Sequence, residues 1–157
     1  MNLRIKRARS KREIEEIRAL FREYEEFLKV DLSFQSFEEE LASLPGNYFP
    51  PDGDLLISFD GERAVGCVAL CGIDESICEM KRLYVRPEAR GRGLGKRLAQ
   101  EIIEISKDLD YSLIRLDTLD RLEQAVNLYE DLGFIKIAPY YENPLSGVIY
   151  WEKKLKD

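Results

Sequence analysis

The chain has 157 residues, 45% of them hydrophobic and 34% charged, with a net charge of −6. That length suffices for one domain, residues 1–157, which buries most of its apolar surface without disulfides or metals, and the composition excludes a disordered chain. The acidic balance argues against broad attraction to nucleic acid or to an anionic membrane, since both need an extended basic surface.

The first residues contain no apolar run of signal-peptide length, and no later stretch approaches the roughly 20 apolar residues that span a bilayer, so a cytoplasmic protein is the expectation. Leu3 to Ala8 alternates like a strand. Ser10 can then cap a helix whose apolar stripe is Ile14, Ile17, Phe21, Tyr24 and Leu28. Phe37 to Leu44 reads as a shorter helix, and Pro45, Gly46, Pro50, Pro51 and Gly53 make a stiff loop that neither helix nor strand can run through. That loop is expected to be flexible or to face a substrate.

Asp54 to Phe59 and Arg63 to Ile73 read as a hairpin about Asp60-Gly61, with both turn residues accepting positive φ. Ser76 to Val85 is a third strand of that region. Gly93 to Leu109 is a helix with Leu94, Leu98, Ile102, Ile105 and Leu109 on one stripe, and Ser112 to Leu119 returns as a strand. Leu122 to Leu132 is a helix stopped by Gly133, and strands Phe134 to Tyr141 and Val148 to Leu155 close the chain. The order β-α-α-β-β-β-α-β-α-β-β is a mixed α/β arrangement with a crossover from Ser76 to Leu119. Cys67, Cys71 and Cys78 fall in predicted strand, and the chain has no histidine, so neither zinc nor disulfide spacing is met and the cysteines read as small buried hydrophobes.

The charge is uneven. Between Glu79 and Arg97 the bases Lys81, Arg82, Arg86, Arg90, Arg92, Lys96 and Arg97 face only the acids Glu79 and Glu88, which suggests a small anionic ligand. Within that segment Arg90-Gly91-Arg92-Gly93-Leu94-Gly95 joins a strand to a helix, where unpaired N–H groups and the helix dipole together favour phosphate. Glycines let phosphate oxygens reach the main chain, and Arg90, Arg92 and Lys96 add charge at the rim. The dinucleotide fingerprint fails because its third glycine comes one residue early, and the P-loop fails because Arg90 and Arg97 stand where it needs Gly and Ser or Thr.

The spacing of Arg90, Gly93 and Gly95 resembles the pyrophosphate loop of the GNAT superfamily of N-acetyltransferases. The likeness runs from Glu79 to Phe134, about a third of the chain, through Leu83-Tyr84-Val85-Arg86-Pro87, the glycine loop, the amphipathic helix, a strand and Ala125-Val126-Asn127-Leu128-Tyr129 up to Gly133-Phe134. The resemblance implies a GNAT-like fold whose sheet splays between the fourth and fifth strands. The pantetheine arm of acetyl-CoA, the co-substrate, would enter there and pair with the backbone of Leu83, Tyr84 and Val85. The loop from Arg90 through Gly91, Arg92, Gly93, Leu94 and Gly95 to Lys96 would hold the pyrophosphate. Leu122 stands where many relatives carry an asparagine, which puts a side-chain bond to the cofactor in doubt; Asn127, on the same helix, is given a minor cofactor role. A homodimer is a further expectation from the family alone.

Acyl transfer from a thioester to an amine needs a neutral amine, a stabilised oxyanion and a proton for the leaving thiolate. Tyr129 resembles the family tyrosine that donates that proton, the alternative being an aromatic that packs its helix onto the sheet. Glu79 is the candidate base, the alternative being an ion pair with Lys81 on the same strand face. The oxyanion would meet a backbone N–H near Leu83 or Tyr84. The acceptor, an amine of a small molecule, amino acid or peptide, falls to the first two helices, the Pro45 to Gly53 loop and the closing hairpin, where Tyr48, Phe49, Tyr140, Tyr141 and Tyr150 line a pocket or merely cover the core. An acyl-CoA-binding module without turnover and an interaction domain without ligand are the alternatives.

Overall fold

A computed structural model describes residues 2–156 of the chain. Seven strands form one sheet in the order β1-β2-β3-β4-β5-β7-β6: β1 is Leu3–Arg7, β2 Asp54–Asp60, β3 Arg63–Gly72, β4 Ile77–Val85, β5 Leu113–Leu119, β6 Ile135–Ile137 and β7 Val148–Lys154. Every neighbouring pair is antiparallel except β4 and β5. The helices are α1 Lys11–Leu28, α2 Phe37–Ser43, α3 Leu94–Asp108 and α4 Glu123–Asp131.

Two apolar layers sandwich the sheet. Leu94, Leu98, Ile102 and Ile105 of α3 pack with Leu56, Val68, Leu70, Met80 and Trp151 on one face, while Ile17, Leu20, Phe21 and Leu28 of α1 pack with Leu55, Ile57, Ala69 and Tyr84 on the other. Each such fully buried aliphatic or aromatic side chain contributes about 1.5–3 kcal/mol, which is why the two helical stripes read from the sequence dictate where α1 and α3 lie. Ser10 caps α1 through the Glu13 amide at 3.1 Å, and Glu13 accepts in return from the Ser10 amide at 3.0 Å, so both start signals hold the same end.

Three expectations change in detail. Asp60 pairs with Arg63 as the last residue of β2, so the turn is Gly61-Glu62 and only Gly61 takes positive φ, +60°. The strand expected over Phe134 to Tyr141 shrinks to Ile135–Ile137 at the sheet edge, because Pro139 has no N–H for a ladder and Tyr140 and Tyr141 turn back beneath the sheet. The loop from Pro45 to Gly53 contains a short turn at Gly46–Tyr48, and Tyr48 is largely buried, edge-on against Phe21, while Pro45 to Tyr48 also line a small hollow. Cys67 and Cys78 are buried and Cys71 is half-buried; burial pushes the Cys71 and Cys78 thiols up to about 12, so these are inert packing groups.

Candidate active site

The parallel ladder between β4 and β5 ends where Glu79 meets Arg115. Beyond it, Met80 to Val85 and Leu116 to Leu119 diverge and enclose an opening of about 600 Å³. A bulge shapes the β4 wall: Arg82 has φ +63°, and the register with β3 shifts between Tyr84 and Lys81, which carry two residues, Arg82 and Leu83, opposite Val68. Arg82 thereby turns toward α1 and α2, where its Nε and one terminal nitrogen donate to the two oxygens of Glu40 at 3.0 and 2.9 Å. Leu83 and Val85 turn to the α3 side, and Leu83, Tyr84 and Val85 line the opening as expected.

At one end of the opening lies the glycine loop. Gly91 and Gly93 have φ of +80° and +74°, and a Cβ added to either would meet no atom within 4 Å. The first bond of α3 runs from the Arg97 amide to the Gly93 carbonyl, so among the described residues the amides of Gly91 to Lys96 find no protein partner. Six adjacent free donors at the start of a 15-residue helix, with open space before them, form a receptor for a multiply charged anion. Gly91, Gly93, Leu94 and Gly95 line the opening; Arg92 and Lys96 are exposed beside it. Arg90 also lines the opening, where its Nε donates to the Val85 carbonyl at 2.8 Å and its guanidinium sits 4.7 Å over Phe27 and 5.8 Å from the Tyr84 ring centre.

Tyr129 and Glu79 lie on opposite faces of the sheet; Tyr129 lines the opening, whereas Glu79 stands behind its vertex and does not line it. Tyr129, on α4, lines it among Met80, Leu94 and Leu128, with its ring against Phe134 and Trp151. Its hydroxyl has no hydrogen-bond partner among the described residues, and burial raises its pKa, so it stays protonated. Glu79 sits at the vertex on the α1 side. Burial raises its pKa, while Lys81 nearby and a 2.6 Å hydrogen bond from the Tyr140 hydroxyl oppose the shift. The alternative to a base, a Glu79–Lys81 ion pair, does not form: Tyr140 is the carboxylate's close partner, and Lys81 makes no ion pair or hydrogen bond among the described residues. Asn127 is exposed and does not line the opening. Leu122 does line it, with an aliphatic side chain.

Asp117 also belongs to the site, although no sequence motif marks it. It lies on β5 just past the end of the ladder, lines the opening, and accepts a 2.6 Å hydrogen bond from the Tyr141 hydroxyl. Asn143 donates to that same hydroxyl at 2.9 Å and Gln35 at 3.3 Å. The rings of Tyr140, Tyr141 and Tyr150 pack edge to face with centroids 5.3–5.6 Å apart, so the two carboxylates are oriented by one rigid aromatic cluster. Arg121 reaches across the opposite rim to the Leu28 carbonyl at the end of α1.

Free amides at a helix start open onto a gap between parted strands with the Asp117 carboxylate in its wall, and the fold that carries them is that of an acyltransferase. The chain belongs to the acetyltransferase (GNAT) family, whose model matches residues 14–134. An uncharacterized N-acetyltransferase of Schizosaccharomyces pombe is 43% identical over 151 residues, 95% of this chain and 93% of that protein. Among solved structures, an acetyltransferase from Streptococcus agalactiae superposes with a TM-score of 0.82 at 21% identity, over 98% of this chain and 99% of that one. The PaiA N-acetyltransferase of Thermoplasma acidophilum, solved in complex with coenzyme A, superposes with a TM-score of 0.74 at 22% identity, over 98% and 99%. The parting of β4 from β5 agrees with the splay expected between those strands.

Proposed function

We propose that this chain, acting as one catalytic domain, transfers an acetyl group from acetyl-CoA to a primary amine of a small molecule, amino acid or peptide. The observation that carries the reading is the run of unpartnered amides from Gly91 to Lys96, opening onto the gap between β4 and β5. The diphosphate would lie on those amides, and the pantetheine arm would extend along the free edge of β4 at Leu83, Tyr84 and Val85. Coenzyme A in the Thermoplasma relative accords with the same donor here.

In the reaction, the neutral amine nitrogen attacks the thioester carbonyl carbon from the α1 side, and its proton passes to Glu79 directly or through water. The C–S bond then breaks, and the thiolate takes a hydrogen bond and proton from Tyr129 on the opposite face. Burial makes the ionised Glu79 carboxylate the stronger base; it keeps the Tyr129 phenol protonated but makes it a weaker acid, so its hydrogen bond to the thiolate counts for as much as the proton. Holding donor and acceptor on opposite sides of one gap supplies the orientation that an encounter in solution lacks.

Calorimetry with acetyl-CoA followed by thiol release across a panel of amines tests this reading. Saturable binding with amine-dependent release above background hydrolysis is expected. Binding without release for any amine would make the chain an acyl-CoA-binding module, and no binding by folded protein would refute the donor site itself.

A further inference from the structure

A second hollow of about 310 Å³ adjoins the opening on the α2 side, lined by Gln35, Glu39, Glu40, Tyr48, Cys71 and Lys81 among others. Gln35 and Lys81 belong to the walls of both spaces, so Lys81 stands at the passage between them. Its neighbours on this face have their charges matched. Arg82 is held by both oxygens of Glu40, Arg86 by Glu23 at 2.5 Å, and Arg115 by Glu152 at 2.9 Å. Lys81 alone of these four has no carboxylate within ion-pair distance among the described residues, although it is half-buried.

The carboxylates around it explain why. Glu40 is committed to Arg82, Glu79 accepts from Tyr140, and Asp117 accepts from Tyr141. Exposed Glu39 is the remaining acid in the hollow's wall. A partly buried ammonium with no carboxylate in ion-pair contact is compensated only by the field of Glu79 along the strand, and a ligand anion would complete its shell. Glu79 and Lys81 share a strand face two positions apart, about 7 Å along the backbone, which the lysine side chain can span. Asp117 and Lys81 both line the opening, with Glu79 behind them at the vertex, so a negative and a positive group face one space.

Resting on the acetyl-transfer reading above, we propose that the acceptor is a free amino acid: its amine lies at Glu79 and Asp117, and its carboxylate is held by Lys81 from the α2 hollow. A simple amine or a polyamine would leave Lys81 unmatched and would be repelled by it. A peptide N-terminus carries an amide where the carboxylate should be. The side chain of the amino acid would extend toward the α2 hollow, past Gln35 and the Pro45-Gly46 turn.

The test compares three acceptors that differ in one group: an amino acid, its carboxamide and the decarboxylated amine, assayed by thiol release. A charge-assisted hydrogen bond is worth enough that kcat/KM should fall roughly ten- to a hundredfold when the carboxylate is lost. In Lys81→Met the amino acid should fall by a similar factor and the three acceptors should become equivalent, while Lys81→Glu should invert the order in favour of the amine. Acetyl-CoA affinity, measured by calorimetry, reports that the variants are folded. Equal turnover of the three acceptors by the wild-type chain overturns this inference and leaves acetyl transfer standing, as does a preference for the amino acid that survives in Lys81→Met. Silence with every acceptor overturns the acetyl-transfer reading along with it.

Discussion

Gly95→Ala should make the protein more stable and a poorer binder of acetyl-CoA. Gly95 lies in the first turn of α3 with no positive φ, and an added Cβ would touch only Val85 Cγ2 at 3.9 Å, an ordinary contact. Replacing a helical glycine by alanine at an unstrained site stabilises by about 0.5–1 kcal/mol, which for a chain of this length raises Tm by roughly 1–4 °C. The same methyl projects into the opening beside the free amides. If it keeps one phosphate oxygen from its donors, the loss is a charge-assisted bond of about 1.5–3 kcal/mol, or roughly ten- to a hundredfold in Kd. Gly93→Ala is the control: there φ is +74°, so alanine should cost about 1–2 kcal/mol of stability as well as affinity. Thermal denaturation gives the first quantity and titration calorimetry the second. Gly95→Ala with raised Tm and unchanged affinity would refute the claim that the diphosphate lies on these amides.

Tyr129→Phe should lower kcat by about a hundredfold or more and leave acetyl-CoA affinity intact; unchanged turnover in single-turnover thiol release would reduce Tyr129 to a packing residue. Burial raises the Glu79 pKa, so the ionised base is lost as pH falls through a value above the ordinary carboxylate range. The kcat/KM profile should therefore decline on its acid side there, and Glu79→Gln should be slow at every pH and lack that limb. The same raised pKa means stability is full where Glu79 is protonated in folded and unfolded chains alike and declines as pH rises through the folded value, a decline that pH-dependent denaturation should find missing in Glu79→Gln. Arg82 is 4% exposed, so Arg82→Met leaves Glu40 without its partner and should cost about 3–5 kcal/mol in denaturant melts, largely recovered by adding Glu40→Leu.

What could be read from the residues was what is local. The spacing of glycines between a strand and an amphipathic helix located the run of free amides, because such amides at a helix start depend on neighbours a few positions away. The stripes of α1 and α3 likewise fixed which side chains fill the two apolar layers. Asp117 escaped because Leu113 to Leu119 alternates, and an acid at its odd positions reads as a solvated strand face. Only the parting of β5 from β4, decided by pairings some 35 residues apart in the chain, puts it at a site. Aromatic residues favour strands, which extends the predicted strand over Tyr140 and Tyr141; with Pro139 ending the ladder of edge strand β6, both instead hold the carboxylates. The pairing of Glu79 with Lys81 was reasonable from their shared face, yet the hydroxyl of Tyr140, 61 residues away, takes the carboxylate. No residue pattern announces the bulge at Arg82, whose positive φ is sustained by its buried ion pair with Glu40.

A crystal structure of this chain with acetyl-CoA measures the central claim directly. The account predicts the diphosphate oxygens within hydrogen-bond distance of amides between Gly91 and Lys96, and the thioester sulfur beside the Tyr129 hydroxyl in the gap between β4 and β5. A donor bound with its diphosphate away from that turn, or with its thioester outside the gap, would contradict it.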